Sequence, residues 1–137
     1  MQLDDLFGSD VPHATFHDAS IERLALDYVA RKAVLDCSIW IGDPDSTDEE
    51  AREARRRGRL TFLGLCYCVI EPPDSSYPYK DTAGLWLTGD GSVGTDGVSG
   101  ERLPPNVPDG TLVHYFFIND WNAFIYIAAE SARWIQS

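Results

Sequence analysis

Three histidines, His13, His17 and His114, bound the acid–base chemistry that this sequence offers. His13 and His17 stand four apart in Pro12-His13-Ala14-Thr15-Phe16-His17-Asp18, a spacing that on a helix would place two imidazoles on one face for zinc, with Asp18 as a further carboxylate. Pro12 opposes a helix beyond its first turn, and Thr15 and Phe16 favour extended backbone. In a strand the two rings would lie about 13 Å apart. Ala14 follows His13, so the His-Glu-x-x-His pattern of zinc hydrolases is absent. A small-ligand or hydrolytic site would have to draw on His17, Asp18 and His114 and bring them within about 4 Å of one another around a cavity. The structural reading is preferred: Phe16 anchors the entry to a hairpin while His17 or Asp18 hydrogen-bonds the turn backbone. Neither a metal nor a cofactor is expected.

The other nucleophiles point the same way. Cys66 and Cys68, two apart in an apolar run, share one face of a strand, and with Cys37 they make an odd number of thiols. Cys-x-Cys is neither a zinc-ribbon nor a thioredoxin-like spacing, so these residues are expected to be free thiols that pack as small hydrophobes in a reducing compartment. Ser92, in Gly91-Ser92-Val93-Gly94, does not occupy a Gly-x-Ser-x-Gly elbow. Asp90, Asp96 and Glu101 surround glycines without the order of a calcium loop, and the segment Gly89 to Gly100 has no lysine for phosphate. That segment reads as a flexible loop.

Binding is better supported than catalysis. The chain carries a formal charge of −11. The acids and bases between Gly42 and Arg59 almost cancel, so nearly all of that charge lies elsewhere. Such a field repels nucleic acid and can steer a basic protein. Tyr77 and Tyr79 in a proline-flanked loop and Trp121 in a turn are placed as exposed aromatic anchors, with Asp81 and Glu101 as rim charges. Trp40 and Trp86 are expected in the core.

The elements that must position these residues are strands. Period-two patterning marks Ser20 to Val29, Ala33 to Ile41 and Ala83 to Thr88, Arg59 to Ile70 reads as a central strand apolar on both faces, and Thr111 to Ile118 and Ala123 to Ala129 are strongly β-like. The first two are separated by a short connector without glycine, and the last two by Asn119-Asp120-Trp121-Asn122, so two hairpins follow. Phe117 and Ile125 are expected in the core of the second. A short solvated helix is expected in the charged insert, where Thr47 and Glu50 form a capping box, Arg55 to Arg57 sit at the negative end and Gly58 at C′. With only Ala51 and Ala54 as apolar residues, Asp43 to Arg57 would be dispensable to the fold. The 137 residues form one domain, mainly β with one short exposed helix: an antiparallel sheet forming a sandwich or partial barrel. No apolar run is long enough to span a bilayer and the amino terminus is acidic, so a cytoplasmic location without membrane contact is expected.

Phe16-His17-Asp18-Ala19, followed by the strand bearing Ile21, Leu24 and Leu26 and by a second strand, resembles small bacterial β-domain families with an FHDA-type start, some of them classed as immunity proteins of polymorphic toxin systems. The resemblance covers about residues 14 to 41. It implies a compact, mainly β protein that binds and neutralises a partner toxin, and it carries over no catalytic residue. The expected function is therefore that of an acidic, immunity-type inhibitor of a basic partner rather than an enzyme.

Overall fold

The computed structural model describes residues 2–94 and 98–137. After a 3-10 turn at Leu3–Leu6 come β1 (Thr15–Asp27), β2 (Lys32–Trp40), a single helical turn α1 (Glu49–Arg52), β3 (Arg55–Ile70), β4 (Leu85–Ser92), β5 (Leu112–Ile118) and β6 (Ala123–Gln136). All pairings are antiparallel, and the sheet closes on itself in the order β1-β2-β3-β6-β5-β4. The expected sandwich or partial barrel is thus a closed barrel. Closure comes from β4, which runs on into the glycine segment and pairs with β5 on one side and with β1, through Ser20–Trp86 and Ile21–Leu85, on the other.

Residues directly opposite in an antiparallel pair share a face, so the register sorts inside from outside. Leu35, Ile39, Leu60, Phe62, Leu87, Phe116, Ile118, Ile125 and Ile127 fill the interior. Phe62 and Phe116 meet edge to face across it at 6.2 Å. Leu3 and Phe7 of the amino-terminal segment stop one end, where Phe7, Phe16 and Trp134 pack ring against ring. Gly58 makes room for that stopper: a Cβ there would fall 2.2 Å from the Trp134 ring. A second apolar cluster, Leu103, Tyr115 and Tyr126 with Tyr67, Val69, Val98 and Phe124, lies outside the barrel under the segment that follows the glycines. It explains why the third strand reads as apolar on both faces.

Several expectations are corrected. Phe117 pairs with Phe124 on the outer face and is half-buried there, whereas Ile125 is core as expected. Cys66 is the extra residue of a bulge between Leu65 and Tyr67, so the alternation slips and Leu65 and Cys68, three apart, both pack against the core. All three thiols are free, and burial pushes Cys37 up to about 12 and Cys68 up to about 11. Trp86 is 48% exposed rather than core, and Trp40 is half-buried with its indole N–H donated to the Arg52 carbonyl at 2.7 Å.

The insert is corrected most. Its helix is only Glu49–Arg52, and the cap is Asp48, which accepts from the Glu50 N–H, not Thr47. Arg55 to Arg57 belong to β3, paired with Trp40 to Ser38. The glycine-free connector between β1 and β2 turns through Asp27, whose carboxylate accepts the N–H groups of Val29 and Ala30, while Arg31 adopts φ +53°. No helix among the described residues is long and apolar enough to cross a membrane.

Candidate functional site

The FHDA segment is a bulge. Thr15 pairs with Trp40 and Ser20 with Ser38, so Phe16 to Ala19 are accommodated opposite a single residue, Ile39. Phe16 and Ala19 turn inward and are buried, His17 stays in solvent, and Asp18 takes the left-handed conformation at φ +64°. Its carboxylate accepts the indole N–H of Trp86 at 3.0 Å, tying the bulge to β4, and its carbonyl accepts from the Arg55 guanidinium at 2.9 Å. Arg55 also donates to the Ser38 carbonyl at 2.8 Å and the Ser38 hydroxyl at 3.1 Å, clamping β1 to β2. His17 Nε2 lies 3.7 Å from Asp18 Oδ2, a loose and exposed approach.

His114 is elsewhere. On β5 it faces the interior, 0% exposed, with Nε2 2.8 Å from Asp90 Oδ2 of β4. Because a carboxylate only accepts, Nε2 is assigned as the donor to it, and Nδ1 has no hydrogen-bond partner among the described residues. Phe116 packs on it at 5.0 Å between centroids. The three residues offered for acid–base work therefore do not form one site: two face water on a bulge, and the third is sealed inside the barrel. His13 is likewise remote in role, 3.8 Å from Asp43 and exposed. Among the described residues no cluster of His, Cys, Asp or Glu could hold a metal. Asp96 lies outside the described residues.

Asp4, from the amino-terminal turn, joins the His114–Asp90 pair electrostatically at the stopped end. Its carboxylate accepts the Phe16 N–H and the Thr15 hydroxyl, each at 3.1 Å. Burial, and then the like charge of Asp90, hold its carboxyl above the usual value against those two hydrogen bonds and the influence of His114. A carboxyl that binds its proton more tightly when folded makes stability fall as pH rises through its titration. Asp4→Asn keeps an acceptor for the Phe16 N–H and removes this titration. Its stability relative to the parent should rise with pH from about 4, the unfolded carboxyl value, to neutrality. Urea midpoints of both proteins across that range test this; a constant difference would refute it.

The surface anchors named from the sequence are separated. Tyr77 and Tyr79 pack edge to face at 4.8 Å in the loop between β3 and β4, with Tyr79 74% exposed at φ +49° and Asp81 exposed nearby in the chain. Trp121 is not a free anchor. It is half-buried against the core, with its indole nitrogen enclosed and without a hydrogen-bond partner among the described residues. The turn that carries it is bound to β4, because Asp120 accepts the Trp86 N–H at 2.6 Å and the Asn119 N–H is donated to the Trp86 carbonyl at 2.8 Å.

Glu101 lines a groove of about 480 Å³ on the outer face, between β3, β5 and β6 and the segment Val98 to Leu103. Its floor is aromatic. Phe124 and Tyr126, two apart on β6, stack at 5.5 Å and 20°, and Phe117 of β5 lies 5.1 Å from Phe124. Glu71, just past β3, accepts the Phe124 N–H at 2.8 Å and so is fixed at the groove. Ser99, Arg102 and Asn122 are further polar residues of the lining. The signal for this site was in the sequence: aromatics recur at period two on the face opposite Phe116 and Ile125, which a strand with a purely polar outer face would not show.

No family model matches the chain, and no curated protein matches it. It is similar to a solved structure, an uncharacterized protein from Neisseria gonorrhoeae, with 12% identity and a TM-score of 0.50 over 88% of this chain and 93% of that one. That likeness is one of fold: the two chains share the barrel.

Proposed function

We propose that this chain is a protein-binding module, an acidic inhibitor of the immunity type that receives a basic partner protein on the outside of its barrel. The observation that carries the reading is the outer groove, where a stacked aromatic floor lies beside Glu71 and Glu101. Buried aromatic surface at the centre of an interface with charges at its rim is the usual anatomy of protein recognition. The net charge of −11 supplies the long-range field, and Tyr79 and Asp81 extend the exposed surface. The alternative, a hydrolytic or small-ligand domain built on His17, Asp18 and His114, has less support, since His114 is enclosed and bound to Asp90.

The test is to capture partners from a lysate of the native host and measure both rates across a salt series. On-rates should fall by about tenfold or more from low to physiological salt, with dissociation changing less. Asp81→Asn and Glu101→Gln should lower the on-rate, and Tyr79→Ala should raise the off-rate. Partners that are all neutral or acidic, or an on-rate indifferent to salt, would sink this reading.

A further inference from the structure

The outer groove has a shape and a charge that select one kind of side chain. Two of its lining residues, Glu71 and Glu101, are carboxylates against one guanidinium, Arg102. Asn122, also in the lining, donates to Asp74, whose carboxyl is held below its usual range chiefly by the backbone and side chain of Ser76 and then by that amide. Asp74 therefore stays ionised at neutral pH beside Asn122 of the lining. The floor is chiefly aromatic, with Phe124 and Tyr126 nearly parallel and Phe117 tilted against Phe124, beside aliphatic surface from Val69, Val98 and Leu103. Aromatic faces attract cations, and carboxylates attract donors.

We propose that the groove takes the guanidinium of an arginine on the partner protein, stacked on Phe124 and Tyr126 and donating to Glu71. This rests on the reading of the chain as a binder of a basic protein. Arginine fits better than lysine because its planar group can stack and donate at once and is more weakly hydrated than an ammonium. Glu71 is prepared for the role: the Phe124 N–H occupies Oε1 and restrains the carboxylate, so a further donor costs it little additional side-chain freedom. The protein's own Arg102 already lies in the lining and acts on the Tyr126 hydroxyl, lowering its pKa against the larger effects of burial and Glu71. A partner arginine would displace that side chain outward.

The probe is acetyl-Gly-Arg-Gly-amide, compared with its lysine and citrulline counterparts by NMR titration of the intact chain. The arginine peptide should shift the ring resonances of Phe117, Phe124 and Tyr126 saturably, with a Kd of about 1–10 mM, as expected of a single side chain. The citrulline peptide, isosteric but neutral, should bind about tenfold more weakly or worse, and lysine should fall between. Glu71→Gln keeps the acceptor for the Phe124 N–H while removing the charge. It should weaken the arginine peptide about three- to tenfold and leave the citrulline peptide unchanged. Equal binding of arginine and citrulline, or shifts spread over the acidic surface without saturation, would overturn the proposal. The two readings fail separately. A basic partner whose salt-dependent binding is weakened by Phe124→Ala but insensitive to Glu71→Gln would refute the arginine site and leave the inhibitor standing, whereas capture of acidic partners only would refute the inhibitor.

Discussion

Phe116→Ala is expected to destabilise the protein by about 3–5 kcal/mol, and Phe117→Ala, one residue on, by no more than about 2. Phe116 is 1% exposed, packs edge to face on Phe62, and lies opposite Ile125 on β6 and Asp90 on β4. Removing its ring opens a cavity in the middle of a closed barrel, whose walls are hydrogen-bonded on both sides and can collapse only slightly. Ile125→Ala should follow it, at about 2–5 kcal/mol. Phe117 lies on the other face of β5, half-buried at the groove, where water can replace the lost ring. Urea unfolding of the three variants decides the matter. Equal losses at Phe116 and Phe117 would mean that β5 sits one residue out of register.

The pair also shows how the sequence encodes this fold. All six strands were visible as β-like runs, most of them by alternation, which a barrel wall requires, and the third by being apolar on both faces. Their neighbours were not, since the pairing of β3 with β6 and the closure of β4 onto β1 depend on contacts far apart in the chain. Where glycine stands within a strand, the pattern falls silent: Gly91 is buried in β4 opposite Tyr115 and Gly58 lies under Trp134 in β3, and both passages read as non-strand. Bulges defeat it differently. Cys66 inverts the alternation midway through β3, and Phe16 to Ala19 compress four residues against one, so that residues which look like a catalytic motif serve as a corner of the barrel. Of the surface residues picked from the sequence, Glu101 lines the groove and Trp121 closes the barrel instead. The groove floor was overlooked because Phe117 was assigned to the core, so the period-two aromatics Phe124 and Tyr126 opposite it drew no reading; the register puts all three on the outer face.

Two deletions in the charged insert should have opposite outcomes. Removing Asp43 to Glu53 and joining Gly42 to Ala54 through a two-residue Gly-containing turn should leave cooperative unfolding intact, with a loss of no more than about 1–2 kcal/mol. What disappears is an exposed helical turn and a few loop hydrogen bonds, among them Trp40 Nε1 to Arg52 and Asp43 N to Ala51, while a shorter loop recovers some closure entropy. Extending the deletion to Arg57 should abolish cooperative unfolding. That variant loses Arg55, Arg56 and Arg57, which pair with Trp40, Ile39 and Ser38, and so strips the backbone partners from a strand whose Ile39 is 1% exposed. It also removes the Arg55 guanidinium from the carbonyls of Asp18 and Ser38, freeing the bulge that turns β1 at the corner. Arg56, which donates to Gln136 at 2.7 Å, goes as well, and with it a tie between the start of β3 and the end of β6 beside the Trp134 stopper. Each lost hydrogen bond is worth only about 0.5–1.5 kcal/mol net, but several lost together in a domain of about 5–15 kcal/mol leave little. Circular dichroism and urea titration of the two deletions distinguish the cases. A cooperative transition in the longer deletion would show that Arg55 to Arg57 are dispensable to the barrel, contrary to their pairing.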